Sequence, residues 1–128
     1  MTLHFTATAQ FKISGDASQT SAQCFELTPD QQFKQGSVIS RQKLDVQKDF
    51  TIAVTMNFGR QNFTTSGADG IAFIMMTDTF IPVTGNGGGI GYEGTPESLV
   101  VEFDTYQNDP NNDPAADHVA LIIGGNPV

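Results

Sequence analysis

Apolar residues in this chain recur at every second position. Over Phe50–Phe58 one set is Phe50, Ile52, Val54, Met56 and Phe58, and the other is Thr51, Ala53, Thr55 and Asn57. Successive strand side chains point to opposite faces, so this alternation predicts a half-buried antiparallel strand. Gly70–Met76 is instead a continuous apolar run of strand length, predicted to be covered on both faces. Leu99–Tyr106 and His118–Ile123 are further strand candidates, with shorter ones at Phe11–Ile13, Cys24–Leu27 and Gly36–Ile39. Turn-forming clusters separate them at residues 14–16, 28–30, 66–70, 85–89 and 109–114. No long amphipathic helix interrupts the pattern. Many short strands joined by Gly, Pro and Asn turns predict an all-β jelly-roll β-sandwich.

The 128 residues suffice for a single domain. No apolar run approaches the roughly 20 residues of a membrane span, so membrane insertion is not expected. The lone Cys24 excludes an internal disulfide framework and a cysteine-based zinc site. The net charge of −8 disfavours nucleic acid as a partner. That charge is unevenly placed. All six basic side chains lie at or before Arg60, whereas nine of the fourteen acids follow it. A solvated acidic face explains this in the simplest way. Carboxylates gathered around a cation are the sharper reading, because a divalent ion reduces their mutual repulsion, but charge alone favours the solvated face.

Spacing bears on that choice. In Leu99–Tyr106, Glu102 and Asp104 share a strand face at two residues' rise, roughly 7 Å apart. Paired carboxylates there must be protonated, hydrated or bound to a cation. The following segment, residues 107–118, adds Asn108, Asp109, Asn111, Asn112, Asp113 and Asp117, two prolines and His118. Hard oxygen donors at this density suit Ca²⁺, and an imidazole beside carboxylates suits a second ion such as Mn²⁺. An EF-hand does not fit, since Pro114 and Ala120 stand where its Gly and Glu belong. Asp-Pro turns and a strand-end histidine are also ordinary structural features, so spacing alone leaves both readings open.

The run Glu102-x-Asp104-x-Tyr106-x-Asn108, then Asp113 and His118, resembles the metal loop of the L-type (legume-type) lectins. Ala68-Asp69-Gly70 with its apolar strand, the glycine-rich loop Gly87–Tyr92 and the strand Ser98–Thr105 resemble that family in the same order. The short, Tyr-ended glycine loop and the Asn112-Asp113-Pro114 turn resemble bacterial members more closely. The resemblance implies a concanavalin A-like sandwich that binds carbohydrate without catalysis. It implies Ca²⁺ held by Asp104, the Tyr106 carbonyl, Asn108 and Asp113. It implies a second, transition-type ion, Mn²⁺ by type, held by Glu102, Asp104, Asp113 and His118. The saccharide would meet Asp69, Asn108, the backbone N–H groups of Gly88 and Gly89, and the Tyr106 ring. The resemblance also implies a cis Ala68–Asp69 bond and an extracellular or cell-surface setting, within a larger adhesin. Because the family domain is longer, residues 1–128 are expected to be its N-terminal portion, completed by an oligomeric partner or a complementing chain or segment.

Two other functions compete with this one. A jelly-roll glycoside hydrolase would place a third acid after Glu102 and Asp104, but Gln107 stands there and cannot supply an acidic proton. A metal-stabilised structural or adhesion domain would keep the ions and leave the sugar loops idle.

Overall fold

The computed structural model describes residues 11–59, 67–77, 85–108 and 113–127. They form two compact units that meet in sequence between Asn57 and Phe58. Among the described residues, all regular structure is antiparallel β apart from one short 3₁₀ turn.

In the first unit β1 (Phe11–Gly15) pairs with β4 (Gly36–Ser40), and the hairpin of β2 (Ser18–Ser21) and β3 (Cys24–Glu26) lies between them in sequence. Gly15 stands opposite Gly36, so β1 runs past the turn expected at Ser14–Asp16. The Phe11 and Phe25 rings meet edge to face at 5.0 Å. The strand β2 carries only Ser, Gln and Thr and is fully exposed, which is why no hydrophobic alternation announces it.

The strand expected over Phe50–Phe58 does not form. Only an isolated bridge at Thr51 is present, and Phe50, Ile52, Val54 and Phe58 stay exposed. The alternation supplies an apolar side, but a strand also needs a neighbour for its backbone groups. Among the described residues no ladder accompanies this segment.

The second unit is built on a sheet of order β5-β6-β7, with β5 at Gly70–Met76, β6 at Ser98–Asp104 and β7 at His118–Ile123. On β6, burial alternates from residue to residue: Ser98, Val100, Glu102 and Asp104 are buried, and Leu99, Val101 and Phe103 are half-buried. Val100 packs with Tyr92 and Ile122, and Ala72, Ile74, Ile90 and Ala120 surround them. Burying a side chain such as Val100 contributes about 1.5–3 kcal/mol. On the opposite face Val119, Leu121 and Ile123 are 63%, 67% and 80% exposed. The strand β5 is half-buried at every position, so neither of its faces is fully covered as its apolar run predicted.

The register places Ala72, Glu102 and Ala120 in one cross-strand row and Gly70, Asp104 and His118 in the next. Small neighbours thus flank Glu102, and Asp104 faces an imidazole. At Gly70 a Cβ would lie 2.2 Å from the Phe103 carbonyl oxygen, so only glycine allows β5 to approach β6 at the end that carries Asp104.

Candidate functional site

The carboxylates expected to share a face do so, and that face is the buried one. Glu102 and Asp104 are 1% and 2% exposed. Glu102, Asp104 and half-buried His118 each offer a ligand atom, and these atoms all lie within 4.8 Å of one another. The strand ends at Asp104, so Tyr106 leaves the shared face and lies exposed. One Asp104 oxygen accepts the Tyr106 N–H at 2.7 Å, an Asx-type turn that starts the loop.

Asp113 folds back onto this end of the sheet. Its Oδ2 accepts the Asn108 N–H at 2.8 Å, and its carbonyl accepts the Gln107 side-chain amide at 3.2 Å. Gln107, which takes the place of a hydrolase's third acid, thus acts as a brace for the loop. Two oxygens in this loop are buried without a hydrogen-bond partner, Asn108 Oδ1 and Asp113 Oδ1. A buried acceptor left unpaired costs roughly 1–3 kcal/mol, more when charged. Hard oxygen donors left unpaired beside a buried carboxylate pair fit a cation such as Ca²⁺. The carboxylate–imidazole group of Glu102, Asp104 and His118 fits a transition-type ion. Residues 109–112 of the expected turn lie outside the described residues.

Burial dominates the electrostatics of these carboxyls. Burial pushes the Glu102 carboxyl above the usual range, and the Asp104 charge adds to this against the Tyr92 hydrogen bond. Burial likewise raises Asp69, opposed by a hydrogen bond from the Asn108 side chain and reinforced by Asp104. That bond joins the residue expected to accept from a sugar to the residue expected to serve both sugar and ion.

Asp69 itself is firmly placed. The Ala68–Asp69 peptide bond is cis. The Asp69 carbonyl accepts both the Thr105 N–H at 2.9 Å and the Thr105 hydroxyl at 3.2 Å. Above it, Gly87–Gly89 form a 3₁₀ turn. Gly87 has φ +62°, which favours glycine, and a Cβ there would lie 3.9 Å from Asp69 Oδ1, in ordinary contact, so the loop runs close by Asp69. Gly88 is half-buried. Gly89 is buried, and its N–H donates to the Asn86 carbonyl at 3.4 Å.

Sequence reasoning gave no role to Gly87, Thr105 or Tyr92. Tyr92 is fully buried, and its hydroxyl donates a short hydrogen bond to Glu102. Its position at the end of the glycine loop is visible in the sequence, but its contact with the carboxylate strand arises only from folding.

The model of the legume lectin beta-barrel domain matches residues 4–126. The chain belongs to the legume lectin family. Within it, the chain is 48% identical to a galactose-binding lectin of Arachis hypogaea, over 44% of this chain and 22% of the lectin. It is 33% identical to the pesticidal crystal protein Cry22Aa of Bacillus thuringiensis, over 61% of this chain and 10% of that protein. The chain thus spans about a fifth of the first relative's length and about a tenth of the second's. Family membership agrees with the all-β sandwich architecture. Among the described residues, no helix is long and apolar enough to cross a membrane.

Proposed function

We propose that this domain is a Ca²⁺-dependent carbohydrate-binding module, without catalysis, of a larger secreted or surface-exposed adhesin. The observation that carries the reading is the pair of buried, unpartnered oxygens, Asn108 Oδ1 and Asp113 Oδ1, beside buried Asp104. Ca²⁺ would take these with Asp104 and the Tyr106 carbonyl. A second ion, Mn²⁺ by donor type, would take Glu102, Asp104, Asp113 and His118. When bound, the ions supply positive charge that neutralises the cluster.

The chain's own residues would then present a saccharide with acceptors and donors on a fixed frame. Asp69, carrying a hydrogen bond from Asn108, would accept from sugar hydroxyls. Gly88 and Gly89 would offer backbone N–H groups, that of Gly89 by exchanging its long bond to Asn86. The Tyr106 ring, 45% exposed, would cover an apolar sugar face. The galactose named for the peanut relative makes galactose the first sugar to try.

Calorimetric titration with monosaccharides, with and without EDTA, tests the reading. Binding that disappears with the chelator and returns with Ca²⁺ supports it. Binding undiminished by EDTA contradicts it.

A further inference from the structure

Tyr92 stands where the glycine-rich loop meets the carboxylate strand. Its backbone closes the loop: the Tyr92 N–H donates to the Gly89 carbonyl at 2.9 Å, and its own carbonyl accepts the Thr95 hydroxyl at 2.6 Å. The turn beyond is held by Ser98 Oγ donating to the Thr95 carbonyl at 2.7 Å and by the Gly94 N–H donating to the Gly125 carbonyl at 2.8 Å. Its hydroxyl crosses to Glu102 Oε2, ten residues on in the chain. The ring is fully buried and packs with Val100 and Ile122. One residue therefore fixes both the end of the loop that rises over Asp69 and the rotation of a buried carboxylate. The same carboxyl meets Asp104, and it offers a ligand atom within 4.8 Å of those of Asp104 and His118.

We propose that Tyr92 is a positioning residue that orients Glu102 for the transition-type ion and links occupancy of that ion to the glycine-rich loop. This rests on the reading of Glu102 as an ion ligand. Outer partners that orient a ligand typically change ion affinity by about 10–100-fold when removed.

The test is Tyr92→Phe in the full chain, which keeps the ring and deletes the hydroxyl. Mn²⁺ affinity, read by electron paramagnetic resonance, should fall about 10–100-fold, while Ca²⁺ affinity, read by calorimetry, stays unchanged. With both ions present, amide exchange at residues 88–92 should be faster in the variant than in the parent. Equal losses for both ions would make Tyr92 a fold-maintaining residue only and overturn the inference. Unchanged Mn²⁺ affinity would overturn it while leaving the ion site standing. Absence of Mn²⁺ binding to the parent chain would remove the ion site itself, and the inference with it. Should the variant fail to fold, the parent still decides. Mn²⁺ added over saturating Ca²⁺ must slow exchange at residues 88–92, and no slowing would refute the link.

Discussion

The two units treat their carboxylates in opposite ways. In the first, Asp16 sits near the surface, with the Lys34 ammonium 2.9 Å from one oxygen and the Gln35 N–H 3.2 Å from the other. These partners hold its pKa below the usual range. In the second, Glu102, Asp104 and Asp113 are all buried, and residues 61–128 contain no Lys or Arg. Burial raises Glu102 instead of lowering it. An exposed acid finds a charged partner in Lys34, whereas the buried acids are met by neutral donors, the Tyr92 hydroxyl and the Tyr106 and Asn108 N–H groups, with His118 beside Glu102 and Asp104. The proposed ions would supply positive charge to the second set and not to the first.

Breaking the buried cluster should have the largest effect. Asp113→Ala removes an unpartnered oxygen and the acceptor for the Asn108 N–H, and Ca²⁺ binding by calorimetry should fall below detection. A variant that still binds Ca²⁺ like the parent would detach Asp113 from the site. Asp69→Ala should come next. It should abolish saccharide binding on a glycan array while Ca²⁺ binding remains close to that of the parent. Joint loss of both would favour a structural metal domain with idle sugar loops.

Acidity sharpens the same comparison. A native pKa above the unfolded value means that the folded state keeps a proton the unfolded chain has released. The metal-free protein should therefore lose stability as pH rises from the ordinary glutamate value near 4.5 toward the raised native value of Glu102. A bound Mn²⁺ reverses the sign, because protons and that ion compete for the Glu102 carboxylate, so Mn²⁺ affinity should grow over that interval and level off above it. Thermal midpoints against pH, with EDTA and with Mn²⁺, report this directly, and superimposable profiles would count against it. The smallest effect belongs to the first unit. Lys34→Ala should leave ion and sugar binding unchanged and lower the thermal midpoint slightly, and the difference should fade at high salt.

The second unit was legible because its signals are local. The strand period put Glu102 and Asp104 on one face, and the structure adds that this face is the buried one. Gly70–Met76 and His118–Ile123 form strands at the expected positions. The cis Ala68–Asp69 bond came from family resemblance rather than from any local rule. Failures arose where pairing or packing decides. Phe50–Phe58 has a strand's alternation but no ladder, and Ser18–Ser21 forms a strand without any alternation. The role of Tyr92 is not legible in the sequence because it depends on folding to bring Glu102 within reach of its hydroxyl. The contact of Asn108 with Asp69 was hidden for the same reason, since 39 residues separate them in the chain.

The most direct measurement is thermal unfolding of the chain with increasing Ca²⁺ at neutral pH. An ion that binds only the folded state adds about 2.7 kcal/mol at a hundredfold excess over its Kd, on the order of 10 °C for a domain of this size. The account predicts such a rise, lost in Asp113→Ala. A midpoint indifferent to Ca²⁺ in the parent chain would contradict it.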